Sequence, residues 1–216
     1  MASVLVSRVF DFGPNSSHAD VKRAEELTAQ ALAASPRSPL AHFAKGQVLR
    51  VQGRPEDAIH EYETALVLDR NLVRALAAIG RCKMHIGPIE EAIPLVEQAI
   101  RLSPRDPFIG NWYSRIGFVH LLKSRTEEAI VWLEKARNAN PAHHAPRANL
   151  AAAYAIKGDI EGAARELTEA RRFSADGRYS SIARLKSVFD FGVPEVRALV
   201  ESTYFAGLRL AGMPEE

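Results

Sequence analysis

The sequence predicts an all-α fold, a right-handed α-solenoid of helical hairpins closed by a C-terminal helical cap. Alanine recurs at a spacing of 34 residues three times and 37 residues once, in two series seven residues apart. Glycine and proline also return at regular places between the alanines. The two series are Ala24, Ala58, Ala92, Ala129 and Ala163, and Ala31, Ala65, Ala99, Ala136 and Ala170. A fixed period of this length is typical of stacked hairpins, each of which needs a neighbour to bury its apolar face.

The repeats divide the chain into an array over residues 1–177 and a cap over 178–216. The predicted full repeats are 39–72, 73–106, 110–143 and 144–177, preceded by a partial repeat over 1–38. Residues 1–18 carry a short apolar stub that predicts a degenerate first helix. Because a solenoid end needs a polar capping element and this start has none, we expect the chain to be cut from a longer protein.

Within each repeat, the small residues predict where two helices cross. A small residue such as Gly46 and an alanine 12 residues later, such as Ala58, are expected at the crossing, where a larger side chain would overpack the contact. Gly53 is expected in the turn between the helices, since glycine adopts positive φ without steric cost. Prolines at positions 36, 104 and 141 mark the end of the second helix, which they cannot extend.

Three irregularities complete the predicted architecture. The insertion Pro107–Ile109 lengthens one connection, either as a bend that shapes the surface or as a tolerated loop. Pro94 is expected in the second turn of a helix, with a local kink. Residues 179–188 and 194–210 predict two further helices that cap the array, with a partner-binding helix as the alternative.

Composition narrows the function classes. Apolar residues make up 47% and charged residues 25% of the chain, which is typical of a folded soluble protein. A formal charge of +2 gives no reason to expect binding to nucleic acid or an anionic membrane. Helical-repeat RNA binding is a further alternative, although the basic residues are spread widely. With one cysteine, no basic leader and no long apolar run, we expect a cytoplasmic protein.

No residue pattern predicts a catalytic site, a metal site or a bound cofactor. His143 and His144 are adjacent but have no cysteine nearby, so a structural role is expected. Cys82 has no base or second cysteine beside it in sequence, which favours a packed thiol. Acidic pairs at 90–91 and 127–128 open second helices, where they complement the helix dipole. We therefore expect a protein that is not an enzyme.

The repeat pattern resembles the tetratricopeptide repeat over about residues 19–177. His42, Leu76, Tyr113 and Arg147 stand where that family usually has tryptophan. The resemblance implies a concave groove for a protein or peptide segment, lined by fixed positions of the first helices. Its implied lining residues are Phe43, Gln47, Arg50, Arg74, Arg81, His85, Asn111, Ser114 and Phe118. Arg50, Arg74 and Arg81 make one half basic, which favours an acidic segment, unless these arginines only solvate the surface. The other half is apolar and suits an anchor side chain or the chain's own C-terminal helix.

Residues 103–117 followed by 127–136, and the ending 204–216, look like the C-terminal repeat region of bacterial class III adenylate/guanylate cyclase-like proteins. This resemblance implies a regulatory or partner-binding part of a larger bacterial signalling protein, in contact with the parent protein's own domains. The cyclase metal-binding aspartates are not in the sequence. The alternatives are a homo-oligomerisation module, with a second copy as partner, and the effector-sensing part of a winged-helix transcription regulator.

Overall fold

The computed structural model describes residues 18–188 and 192–216. Every regular element within these ranges is helical, and consecutive helices pair as antiparallel hairpins, so the predicted all-α class is confirmed. The predicted stub and the chain start, residues 1–17, lie outside the described residues. The chain forms two compact units, one ending at Ser103 and the other comprising Pro104–Glu216.

The first unit contains five α-helices within the described residues. They are α1 (His18–Ala34), α2 (Pro39–Val51), α3 (Pro55–Leu68), α4 (Val73–Ile86) and α5 (Ala92–Leu102). Each helix packs against the next one in the chain. Helices α2 and α4 are the first helices of the two full repeats in this unit, and α3 and α5 are the second helices. Pro39 and Pro55 stand at helix starts, where a missing N–H is tolerated.

The second unit begins with two further hairpins and ends with the C-terminal helices. The hairpin helices are α6 (Ile109–Leu122), α7 (Thr126–Ala139), α8 (His144–Lys157) and α9 (Ile160–Phe173). They are followed by α10 (Ile182–Val188), α11 (Pro194–Leu199), a π-helical turn (Val200–Phe205) and α12 (Ala206–Leu210). The first cap helix thus begins at residue 182, rather than at the predicted 179. The three last elements follow one another without a break, and we refer to them together as the C-terminal helix, 194–210.

Small residues lie where the two helices of a hairpin approach most closely. A Cβ atom added at Gly46 would stand 2.4 Å from the Tyr62 ring, and one at Gly117 would stand 2.6 Å from the Leu133 side chain. The alanines of the first series, 12 residues after these glycines, are also buried. The predicted crossing is therefore present, and each glycine leaves the space that a large second-helix side chain fills.

The turns between the helices show that the backbone geometry is kept when the glycine is not. Gly158 ends α8 with φ of 95°, as predicted for the turn position. At the equivalent turn after α6 the chain has Ser124, which adopts φ of 57°. The geometry of the hairpin thus imposes a left-handed residue even where the sequence offers no glycine.

The prediction for Pro94 was wrong in its place along the helix. A short 3₁₀ turn, Ile89–Glu91, precedes α5, and α5 itself begins only at Ala92. Pro94 is therefore in the first turn of the α-helix, where its missing N–H removes no intrahelical bond. Tightening of the preceding residues into a 3₁₀ turn takes the place of the predicted second-turn kink.

The C-terminal helix and the tail after it close the second unit. The Ile182 and Ala183 amides donate hydrogen bonds of 2.9 Å to the Pro214 and Glu215 carbonyls, so the tail caps the start of α10. Tyr204, Phe205 and Leu208 are buried. These contacts place the C-terminal helices in the same compact unit as the last two repeats, while the domain boundary at residue 177 stays a prediction.

Candidate binding surface on the first helices

The predicted lining residues divide between the two units. Six lie on α2 and α4 of the first unit, and Asn111, Ser114 and Phe118 lie on α6 of the second. We call the side of a unit that carries these repeat positions its first-helix face. The two faces are described separately, because each belongs to its own compact unit.

Two of the predicted lining residues are part of the core. Phe43 is 2% exposed, and its ring centroid lies 5.5 Å from that of Tyr62. The prediction failed for Phe43 because Gly46, one turn later on α2, admits the Tyr62 ring, and Phe43 packs beside that ring. Ser114 is 8% exposed and likewise buried within the second unit. Neither side chain presents a surface that a partner could reach.

The remaining residues of the first unit's face are half-buried and mostly basic. They are Gln47, Arg50, Arg74, Arg81 and His85. The Arg50 Nε atom donates a hydrogen bond of 3.1 Å to the Gln47 Oε1 atom, which is one turn earlier on α2. This bond fixes the plane of the Arg50 guanidinium at the C-terminal end of the helix, where a cation is also favoured by the helix dipole.

Arg50 and Arg81 both influence the pKa of the buried Tyr62 hydroxyl. Burial raises the pKa of Tyr62 well above its ordinary value, and the Cys82 thiol adds to the rise. The guanidiniums of Arg50 and Arg81 act in the opposite direction on that pKa, because both lie near the phenolic oxygen. Two basic side chains from adjacent first helices therefore act electrostatically on the same buried hydroxyl of the second helix.

The equivalent face of the second unit is covered by the chain itself. The Phe118 ring meets the Tyr204 ring edge-on, with 5.4 Å between centroids. Further along the C-terminal helix, a Cβ atom added at Gly207 would stand only 2.6 Å from the Ala152 carbonyl oxygen of α8. The C-terminal helix thus packs on both first helices of this unit, as the sequence had allowed. Asn111, in the first turn of α6, is half-buried.

Cys82 is fully buried, as expected of a packed thiol. Over 18–188 and 192–216, no group of three histidine, cysteine, aspartate or glutamate side chains is arranged to bind a metal ion. None of the helices in those ranges combines the length and apolar character that crossing a bilayer requires.

Sequence reasoning missed a pair of positions that links the two helices in three of the four full repeats. The fourth residue of the repeat faces the twenty-third, as in His42 with Glu61, Tyr113 with Trp132 and Arg147 with Glu166. From the sequence, only the first member of each pair stood out, because it replaces the tryptophan usual at that position of the repeat. The second member could have been predicted by comparing the two positions along the chain. A basic side chain at the fourth position goes with glutamate at the twenty-third, and an aromatic ring goes with another aromatic ring.

Helical hairpins that recur at this period define the class of helical-repeat proteins. Within it, residues 17–72 and 49–107 match the family model of the tetratricopeptide repeat, so this part of the chain carries tetratricopeptide repeats. Over 111 residues, 51% of the chain, the sequence is 31% identical to the Cell division cycle protein 27 homolog of Caenorhabditis elegans. That match spans only 14% of the relative's length.

Several solved structures share the fold of this chain. Pseudomonas aeruginosa PilF superposes with a TM-score of 0.68 at 19% identity, over 96% of this chain and 90% of that one. A thermophilic tetratricopeptide protein of Thermus thermophilus gives a TM-score of 0.66 at 16% identity, over 87% and 98%. YrrB, a tetratricopeptide protein with an unusual peptide-binding site, gives 0.54 at 17% identity, over 85% and 95%. At these identities the likeness is one of fold.

Proposed function

We propose that the chain is a non-enzymatic interaction module whose first unit binds an acidic segment of a partner protein. The observation that carries this proposal is the hydrogen bond of 3.1 Å that holds the Arg50 guanidinium against Gln47, at the repeat position that Arg81 occupies on the next first helix. A guanidinium donates paired hydrogen bonds to a carboxylate, and such charge-assisted bonds are about twice as strong as neutral ones. Arg74 and His85 extend the basic character along α4.

The composition of this face supports a protein partner over other ligands. The stretch that matches the tetratricopeptide repeat contains all six predicted residues of the first unit, and repeats of this type serve as protein-interaction scaffolds. A net charge of +2 offers little general attraction for nucleic acid, whereas a local arginine pair suits individual carboxylates. We therefore place the specificity in a few charged contacts rather than in a broad field.

The proposed context is the regulatory part of a larger bacterial signalling protein of the cyclase-like kind, in the cytoplasm. This part of the proposal is supported by the sequence resemblance of residues 103–117, 127–136 and 204–216. In that context, the acidic segment comes either from the parent protein's own domains or from a separate partner.

A peptide-display selection on the intact chain tests the proposed function. We expect selected peptides to be rich in aspartate and glutamate and to lose at least tenfold in affinity for the variant Arg50→Glu/Arg74→Glu/Arg81→Glu. The matched control is Arg23→Glu/Arg165→Glu/Arg172→Glu, which changes the charge equally at side chains that are each 65% exposed. Selected peptides without acidic residues, or equal affinity for both variants, would contradict the proposal.

Self-association is a second candidate function. Leu210, on the C-terminal helix, is 57% exposed, whereas Leu208 on the same helix is buried. An exposed leucine at the end of a packed helix favours contact with a second copy. Light scattering over a concentration series, with Leu210→Glu as the comparison, tests it. A mass that stays that of the monomer at all concentrations excludes this function.

A further inference from the structure

We infer that the acidic segment binds the first unit as an α-helix, in the way that the chain's own C-terminal helix packs on the second unit. This inference rests on the proposed function, since it specifies the conformation and the residue spacing of the same partner. The second unit provides the structural precedent, because the C-terminal helix packs on its first-helix face.

In the second unit, the C-terminal helix contacts both first helices at one repeat position. Phe118, which meets Tyr204, is the ninth residue of the repeat that starts at 110. Ala152, which meets Gly207, is the ninth residue of the repeat that starts at 144. Tyr204 and Gly207 are three residues apart, and therefore lie on the same side of their helix. One face of a single helix thus reaches the ninth residue of two successive repeats.

In the first unit, the same repeat position is occupied by Gln47 on α2 and Arg81 on α4. These two helices pack against α3 between them, just as α6 and α8 pack against α7. Arg50, three residues after Gln47, lies on the same side of α2 and is hydrogen-bonded to it. A helix placed on this unit as the C-terminal helix is placed on the other would therefore meet Gln47, Arg50 and Arg81 together.

The chemistry of the contact changes with these residues. In the second unit the helix backbone comes within van der Waals distance of Ala152, because Gly207 has no side chain. The long side chain of Arg81 excludes such an approach, so the contact must be made by side chains of the partner helix. Side chains three or four residues apart on a helix have Cβ atoms about 5–6 Å apart, so two carboxylates at that spacing can each reach one of two neighbouring guanidiniums. The inferred ligand is an amphipathic helix with glutamate or aspartate at that spacing.

Three synthetic peptides of equal length test the inference on the intact chain. The first is a helix-forming peptide with glutamates at i and i+4. The second has the same charge, but two prolines prevent the helix, and the third carries lysine in place of each glutamate. Affinity is measured by fluorescence anisotropy at two salt concentrations, and the helicity of the bound peptide by circular dichroism difference spectra.

We expect the helix-forming peptide to bind at least tenfold more tightly than the proline peptide, to gain helicity on binding, and to weaken with added salt. We also expect Arg81→Gln to lower its affinity about tenfold, while Arg165→Gln on α9 leaves the affinity unchanged. The comparison among peptides uses the unaltered chain, so it does not depend on how any variant folds.

The outcomes separate this inference from the proposed function. If the proline peptide binds as tightly as the helix-forming one, the partner is extended, so the inference fails while the proposed function stands. If neither acidic peptide binds, or if the lysine peptide binds equally well, the proposed function fails as well.

Discussion

Arg147 and Glu166 form an ion pair of 2.8 Å that repeats, three repeats later, the pairing of His42 with Glu61 at 2.7 Å. The His42 and Arg147 side chains also contact the proline that closes the preceding repeat. The His42 ring nitrogen Nε2 lies 3.0 Å from the Pro36 carbonyl, and the Arg147 Nε atom donates to the Pro141 carbonyl at 2.9 Å. One side chain thus joins the two helices of its own hairpin and ties that hairpin to the one before it.

This pairing predicts that His42 and Glu61 are coupled in stability. Glu61→Leu removes the carboxylate that contacts the half-buried His42 Nδ1 atom and the Lys45 ammonium, and we expect a loss of about 1–3 kcal/mol in the free energy of unfolding. The double variant His42→Leu/Glu61→Leu should recover about 1 kcal/mol of that loss, because Leu76 and Leu95 occupy these positions in the next repeat. Urea unfolding of the four proteins in a double-mutant cycle measures the coupling, and strictly additive losses would contradict it.

The carboxylate of Glu166 accepts hydrogen bonds from Arg137 and Arg147, at 2.7 and 2.8 Å respectively. The Glu166 residue is 8% exposed, so removing its charge leaves two guanidiniums near each other with little water. We expect Glu166→Gln to lower the free energy of unfolding by about 2 kcal/mol.

The control for Glu166 is Glu161 on the same helix, which pairs with Arg165 at 2.9 Å while 89% exposed. Glu161→Gln should change the free energy of unfolding by less than about 0.5 kcal/mol, because an exposed ion pair is solvated and screened. Equal effects of the two substitutions in urea unfolding would show that the buried cluster has no special role.

The sequence was sufficient for the fold because the repeat makes each small residue visible several times. Gly46 and Gly117 could be assigned to a helix crossing from their spacing alone. The lining residues were less predictable. Phe43 sits at a surface position of the repeat, yet the space that Gly46 leaves for Tyr62 determines that Phe43 is buried. The covering of Phe118 by Tyr204 joins residues 86 apart in the chain, and no local pattern specifies such a contact.

Acid should destabilise the second unit through His143. Burial, followed by the neighbouring His144, lowers the pKa of His143 from 6.5 to about 4. The unfolded chain therefore binds a proton near pH 6.5, whereas the folded chain binds it only near pH 4. Between these values the unfolded state holds more protons, so the free energy of unfolding falls as the pH falls, by up to about 3 kcal/mol.

Replacing the histidine tests this pH dependence. In His143→Gln the decrease in unfolding free energy between about pH 6.5 and about pH 4 should become shallower. The control is His60→Gln, at an exposed position on α3, which should keep the slope of the unaltered chain. Parallel pH profiles for all three proteins in urea unfolding would contradict the role of His143.

Gly207 should be the position at which the C-terminal helix tolerates least change. Alanine is about 1 kcal/mol more favourable than glycine inside a helix, so Gly207→Ala would stabilise a helix that stood alone. Here the added Cβ atom would lie 2.6 Å from the Ala152 carbonyl oxygen and 2.8 Å from the Ala152 Cβ atom. The carbonyl oxygen is part of the α8 backbone and the Ala152 side chain is a single methyl group, so neither can rotate away from the added Cβ atom. We expect a net loss of about 1–3 kcal/mol in the free energy of unfolding from overpacking.

Ala198→Leu, on the exposed side of α11, is the control for Gly207→Ala, and its free energy of unfolding should stay within about 0.5 kcal/mol of that of the unaltered chain. Thermal unfolding followed by circular dichroism measures both, and a stabilised Gly207→Ala protein would mean that the C-terminal helix does not pack on α8 as described.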